Sequence, residues 1–298
     1  MLNLTNLKED ILLASYTTYK IGGKADYFFT AYNKDDLVKA INWSRERGMT
    51  FFVLGSGANI LVGDGGFRGL VIHNQAQNFR FDDNLLITES GAVISDLIDS
   101  SLEKGLSGLE HFAGIPSTVG GAIRQNLHFL SPDRTSTIFI ESIVKRGLVL
   151  EGVIEKKVEK DYFEFEYDDS ILHHNKDIFV LEICFELEGK DPELIKAQIS
   201  ANLNWRNQKQ PQLRGFPSCG SVFKKIEGVG AGRLIEKCGL KGKRIRGALV
   251  SKKHANYIVN TGNATARDVR ELITLVQEKV YKETGFRLEP EIEFIGEF

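Results

Sequence analysis

The run VLGSGANIL, Val53 to Leu61, interrupts an apolar stretch with two glycines around a serine and then resumes it. Glycines at such a break reach positive φ at little steric cost, so successive backbone N–H groups can converge on one anion. Ser56 and Asn59 add side-chain donors suited to phosphate oxygens. Two common phosphate cradles are excluded: GxxxxGK followed by Ser or Thr is absent, and no GxGxxG opens a long helix. Taken alone, the run reads equally as a tight turn between strands. A second stretch, GIPSTVGGAI from Gly114 to Ile123, offers hydroxyls at Ser117 and Thr118 and a glycine pair at Gly120 and Gly121. Two such loops in one domain can hold the two ends of one pyrophosphate.

The elements that position these loops alternate between helix and strand. NKDDLVKAINWSRERG predicts a helix capped by Asn33, with Leu37, Ala40 and Ile41 on one face and Gly48 as its stop. FFVLG, GLVIHN and LLITES read as strands, and ISDLIDSSLEKG as a second helix ending at Gly105. IESIVKR, GVIEKKVE and IFVLEICFEL are strand-like. DPELIKAQISANLNWRNQKQPQ reads as a polar linker helix closed by Pro211. The last 85 or so residues form a small α+β unit by pattern. In it, Thr265 and Asp268 cap a helix whose Val269, Leu272, Ile273, Val276 and Val280 make one stripe, with Gly285 past its end. ALVSKKHANYIVN and RLEPEIEFIG flank that helix as strands.

Composition narrows the function classes. A chain of 298 residues, 42% hydrophobic and 26% charged, suits a globular protein with more than one core. A net charge of -2 gives no whole-chain attraction for nucleic acid or an anionic membrane. The basic run LKGKRIRG is short and lacks interleaved aromatics. No secretory signal and no membrane-spanning run is expected. Cys184, Cys219 and Cys238 have no metal-ligand spacing, and their odd number favours a reducing compartment. His173 and His174 with Asp168 and Asp169 do not make a metal site if the adjacent histidines lie on a strand, where they face opposite ways. No metal is expected.

Five blocks in order resemble UDP-N-acetylenolpyruvoylglucosamine reductase, also called UDP-N-acetylmuramate dehydrogenase. They are YTTYKIGG at 16–23, VLGSGANILVGDGGFRGLVI at 53–72, GLEHFAGIPSTVGGAI at 108–123, PSCGSVFK at 217–224 and VSKKHANYIVN at 250–260. The compact run from Gly228 to Lys243 resembles the shorter form of that family. The resemblance implies an α+β chain with a two-part FAD-binding domain of the vanillyl-alcohol oxidase type and a C-terminal α+β substrate domain. Its parts would be residues 1–72 and 73–190, a linker helix at 191–212, and 213–298. It implies non-covalent FAD held by Gly55, Ser56, Gly57, Ala58, Asn59, Ile60 and Leu61 and by Gly114, Pro116, Ser117, Thr118, Gly120 and Gly121. A cytoplasmic, monomeric enzyme of peptidoglycan precursor synthesis acting on a UDP-sugar is the corresponding expectation, with neither nucleic acid nor membrane as partner.

The chemistry implied by the resemblance moves a hydride from NADPH through the flavin to the enolpyruvyl C3, while a general acid protonates C2. Ser221 matches the family's catalytic serine; its hydroxyl would face a developing carbanion in a water-excluded site. Glu291 matches the family's catalytic glutamate, able to donate to an enolate when desolvation keeps it protonated. Glu289, Glu291 and Glu293 share one alternation phase, so periodicity does not choose among them and the family pattern does. Lys209, Tyr167, Lys224 and Arg233 are the substrate-binding candidates.

Two departures stand out. Where the family carries Tyr-Arg-x-Ser, this chain reads Tyr167, Asp168, Asp169, Ser170, so an aspartate occupies the position of a carboxylate-polarising arginine. Beside a carboxylate substrate that exchanges attraction for repulsion. Where the family has Met-Asn-x-Gly-Ala-Tyr-Gly, this chain reads RQNLHFLSPDRTST, adding Arg124, His128 and Arg134. Arg124 or Arg134 is therefore expected to replace the missing cation. The departures leave open a flavin oxidoreductase of the same fold with another substrate, or an impaired relative.

Overall fold

The computed structural model describes residues 4–131 and 136–298. Arg134 lies outside the described residues. Contacts divide the chain into two compact units: residues 1–7, 29–56 and 72–206 form the first, and residues 8–28, 57–71 and 207–298 the second.

Unit 1 is built on a five-stranded antiparallel sheet. Its order is Ile154–Glu159, Val144–Glu151, Ile178–Glu186, Leu85–Glu89, Phe79–Asp82. Against it lie α1 (Lys34–Glu46), α2 (Ile94–Glu103) and the short α3 (Val119–Arg124). The Asn33 side chain caps α1 by accepting from the Asp36 N–H at 2.8 Å, and Gly48 follows at φ 59°, as the spacing predicts. Helix α2 turns Ile94, Leu97 and Ile98 inward, where they join Phe112, Ile123, Val149, Phe163 and Phe185 in one core. Each fully buried side chain of this size is worth about 1.5–3 kcal/mol. His173 and His174 lie on α4 (Ile171–His174), a single helical turn and not a strand: Ser170 O accepts from His173 N–H and starts the turn. His174 Nε2 there lies 2.8 Å from Asp169. The polar helix predicted after Gly189 is α5 (Pro192–Lys209).

Unit 2 packs α6 (Ala231–Lys237) and α7 (Ala266–Thr284) on a small antiparallel sheet of Arg244–Ile245, Ala248–Val250 and Ile258–Asn260. Thr265 and Asp268 form a reciprocal capping box on α7, and Gly285 closes it at φ 75°. Its apolar stripe meets Tyr19, Leu61, Val222, Phe223 and Leu288. ALVSKKHANYIVN is two strands rather than one: the Ser251 hydroxyl accepts from Lys253 N–H at 3.1 Å and Tyr257 N–H donates to His254 O, folding the middle into a turn. RLEPEIEFIG supplies only a short strand, Glu293–Ile295, which pairs in parallel with Ile60–Val62. Pro290 has no N–H for a longer ladder. Among the described residues no helix is long and apolar enough to cross a membrane.

Candidate functional site

In unit 1 the two glycine-bearing loops meet. A Cβ placed on Gly55 would lie 2.5 Å from the Thr118 hydroxyl oxygen, so only glycine permits this approach. The Ser56 hydroxyl reaches Pro116 O at 3.5 Å. Thr118 caps α3 by accepting from Gly121 N–H at 3.4 Å, and Gly120 N–H donates to Ser90 O at 2.7 Å. Gly114 sits at φ 81°, and a Cβ there would meet Leu203 and Arg206. Small residues and hydroxyls thus line a cradle that an added side chain would fill, which fits a pyrophosphate held close to the backbone.

The same unit joins the two segments that carry the departures. Gln125 Nε2 donates to Asp168 O at 3.3 Å, Asn126 Nδ2 to Glu166 O at 2.9 Å, and the Ser170 hydroxyl to Arg124 O at 2.7 Å. Arg124 donates through its guanidinium to Leu172 O. Asp168 adopts the left-handed conformation at φ 57°, and its side chain, only 6% exposed, is turned onto His128: Oδ1 lies 3.1 Å from Nδ1. His128 Nε2 lies 3.0 Å from the hydroxyl of exposed Tyr167. The aspartate's charge is therefore met inside the fold by an imidazole. Asp169, despite burial that would raise its pKa, is held below the usual carboxylate value by His174 and the Ser170 N–H.

In unit 2 the second half of the first glycine run meets the segment of Glu291. Gly57, at φ 62°, leaves no room for a side chain against Tyr16 O. Thr18 fixes it by donating to Gly57 O from its N–H at 3.1 Å and its hydroxyl at 3.2 Å. Asn59 Nδ2 donates to Glu291 O at 3.3 Å, and Asn59 O accepts from Glu293 N–H at 3.0 Å. Glu291 N–H in turn donates to Val222 O at 2.8 Å, directly after Ser221. Ser221 and Glu291, both partly exposed, thus lie on neighbouring segments joined by their backbones.

The segment bearing Ser221 is braced by Asn256, which sequence reading did not single out. Its backbone oxygen accepts from Val222 N–H at 2.8 Å, and its amide both accepts from Phe223 N–H at 3.1 Å and donates to Phe223 O at 2.8 Å. The only local hint is an asparagine between two apolar strands, a residue whose amide can imitate a peptide group. Beside Ser221, the Cys219 thiol is pushed far up by burial first and by neighbouring Glu291 second, so it stays neutral. Tyr19 is likewise raised well above its usual value by burial, and its hydroxyl donates to Ile258 O at 2.8 Å.

The substrate-binding candidates of unit 2 are all exposed. Lys209 is exposed at the end of α5. Lys224 lies 3.7 Å from Glu289 on the surface. Arg233 is exposed on α6 and borders a depression with Lys237, Glu283 and Phe286.

Two described families match parts of the chain. Residues 25–134 match a family described as FAD binding domain, and residues 210–295 match the C-terminal domain of UDP-N-acetylenolpyruvoylglucosamine reductase. The reductase of that name from Caldicellulosiruptor saccharolyticus is 39% identical over 299 residues, spanning 100% of this chain and 94% of its own. The one from Caldicellulosiruptor bescii is 38% identical over 97% of this chain and 91% of its own. The crystal structure of UDP-N-acetylenolpyruvylglucosamine reductase from Thermus caldophilus superposes with a TM-score of 0.80 at 31% identity, covering 96% of this chain and 97% of that one. The chain therefore has an α+β fold with an FAD-binding domain and a C-terminal domain of that reductase type.

Proposed function

This chain belongs to the UDP-N-acetylenolpyruvoylglucosamine reductase family, and from that premise we propose that it reduces the enolpyruvyl ether of UDP-N-acetylglucosamine to UDP-N-acetylmuramate, with FAD as cofactor and NADPH as reductant, in peptidoglycan precursor synthesis. The observation that carries the reading is the backbone link between the segments of Ser221 and Glu291, with Asn59 of the glycine run bonded to the second. When bound, FAD supplies the hydride. Gly55, Ser56, Gly57, Ala58, Asn59, Ile60 and Leu61 hold it from one loop, and Gly114, Pro116, Ser117, Thr118, Gly120 and Gly121 from the other.

The remaining work falls to side chains. Ser221 delivers a proton from its hydroxyl to the substrate C2, a step that needs a donor fixed within about 3 Å. Glu291, on the segment anchored to Val222 and Asn59, donates to the enolate oxygen in its protonated form. Tyr167, Lys209, Lys224 and Arg233 engage the UDP-sugar, and Arg124 or Arg134 supplies positive charge near its carboxylate. Residues 1–72 and 73–190 make the FAD-binding parts, 191–212 the linker and 213–298 the substrate part of a monomeric cytoplasmic enzyme. The match of residues 210–295 disfavours a different substrate on the same cofactor domain.

The test is an anaerobic half-reaction on the purified flavoprotein. NADPH bleaches the flavin, and enolpyruvyl-UDP-N-acetylglucosamine then restores its absorbance. A flavin that stays reduced after the sugar nucleotide is added refutes the reading.

A further inference from the structure

Asp168, His128 and Tyr167 make a chain of carboxylate, imidazole and phenol that runs outward through unit 1. Side-chain exposure rises from 6% at Asp168 to 22% at His128, and Tyr167 is 43% exposed. Asp168 holds a backbone conformation at φ 57° that L-residues rarely adopt, and Oδ1 has no aligned hydrogen-bond donor among the described residues. Oδ1 lies 3.1 Å from His128 Nδ1, within ion-pair distance when the ring is protonated. The φ suits the tight turn from Glu166 to Asp169, whose ends exchange backbone hydrogen bonds. That turn sets the carboxylate against one ring nitrogen.

A carboxylate beside Nδ1 keeps the proton on that nitrogen, which leaves Nε2 to face the Tyr167 oxygen 3.0 Å away. Two states follow. With a neutral ring, Nε2 accepts the phenol proton and Tyr167 presents only lone pairs outward. With an imidazolium, Nε2–H donates to the phenol oxygen, and the phenol O–H is released to donate outward. The first state repels an oxyanion and the second binds it. The ring is fixed from its sides by Phe139, with centroids 5.5 Å apart, and by Tyr167 at 4.6 Å.

We propose that His128 is a positioning residue that sets the hydrogen-bond polarity of Tyr167 toward an oxyanion of the sugar-nucleotide substrate. The inference rests on the reading of Tyr167 as a substrate contact. Among the described residues, Asp168 and Tyr167 are the titratable groups in contact with the ring. Other charged groups of the surrounding elements have partners: Glu110 contacts Ser107 and Lys190, with His111 beside it. Arg124 contacts Leu172 O, Glu141 Asn126, and Asp169 His174. Because oxyanion binding selects the imidazolium, it takes up a proton, and affinity rises as pH falls.

The test titrates the FAD-loaded protein with enolpyruvyl-UDP-N-acetylglucosamine across neutral pH, following flavin absorbance, for wild type, His128→Gln, Tyr167→Phe and the double variant. Each single change raises the dissociation constant about tenfold, the scale of one hydrogen bond to a charged group. The pH slope disappears in both, and the double variant is no weaker than either single one. Parallel titration with UDP-N-acetylglucosamine, which lacks the enolpyruvyl carboxylate, separates the sources. A slope lost with this ligand assigns the carboxylate, and a slope retained assigns a phosphate. Additive effects, an unchanged slope in His128→Gln, or a Tyr167→Phe protein that binds as wild type overturns the assignment. Reoxidation by the sugar nucleotide, measured separately, tests the reductase reading; absence of binding at any pH overturns both.

Discussion

Asn59 grips the segment of Glu291 at two points: its amide donates to Glu291 O at 3.3 Å and its backbone oxygen accepts from Glu293 N–H at 3.0 Å. A residue of the first glycine run is thereby an anchor for the carboxylate assigned to the enolate. Asn59→Ala removes the side-chain bond and keeps the backbone one. With a typical bond worth about 1 kcal/mol, turnover at saturating FAD falls roughly fivefold. Steady-state kinetics of the reconstituted variant decide it, and wild-type turnover would show the amide to be idle.

Ser221 stands next to Val222, whose oxygen accepts from Glu291 N–H at 2.8 Å. Ser221→Ala deletes a hydroxyl from a segment held by backbone bonds and by Asn256, so the fold persists. Reoxidation of the reduced flavin by the enolpyruvyl sugar slows about 10²- to 10⁴-fold, the usual contribution of a positioned proton donor. Reduction by NADPH keeps its rate. Stopped-flow measurement of the two half-reactions separates these, and an equal loss in both contradicts the assignment.

What the sequence made legible was local. The cap of α1, the capping box of α7 and the apolar stripe of α7 follow from residues three and four apart. The two glycine runs were legible because glycine and hydroxyl spacing carries the anion chemistry. The pairing of His128 with Asp168 was not, because it joins residues 40 apart in the chain. Their sequences showed only a lost cation and gained ones. The glycines of Val62 to Phe67 show the same limit: Gly63 and Gly65 receive the chain near Glu297, and Gly66 meets Lys24 O. No spacing rule announces that packing.

Gly55 faces the Thr118 hydroxyl with no space for a methyl group, since an added Cβ would lie 2.5 Å away. Gly55→Ala should push the loops apart and lower the flavin retained on purification by at least half. Thr118→Ala in the same chain removes the obstructing oxygen and restores part of the flavin, although loss of the α3 cap destabilises the unit by about 1 kcal/mol. Flavin-to-protein absorbance ratios read the effect. Full flavin content in Gly55→Ala would mean that the loops do not need their close approach to hold the cofactor.

Glu110 is a carboxylate with 1% exposure that gathers Ser107 Oγ at 2.5 Å, Gly108 N–H at 2.6 Å and Lys190 Nζ at 3.5 Å, while Asn202 Nδ2 ties its backbone oxygen to α5. Burial by itself would raise its pKa, but the Ser107 hydroxyl and the Gly108 N–H outweigh it and hold the carboxyl below its ordinary 4.5. A carboxyl with a lower pKa folded than unfolded stabilises the fold fully above pH 4.5, and that contribution disappears as pH falls through the folded value. Acidification from pH 5 to 3 should therefore lower the unfolding midpoint of wild type more steeply than that of Glu110→Gln. The variant is also weaker at neutral pH, because an amide N–H₂ there opposes the Gly108 N–H. Thermal unfolding of the two proteins across that range is the measurement, and parallel curves would move the acid sensitivity to other carboxylates such as Asp268, which Thr265 and Arg246 also hold low against its burial.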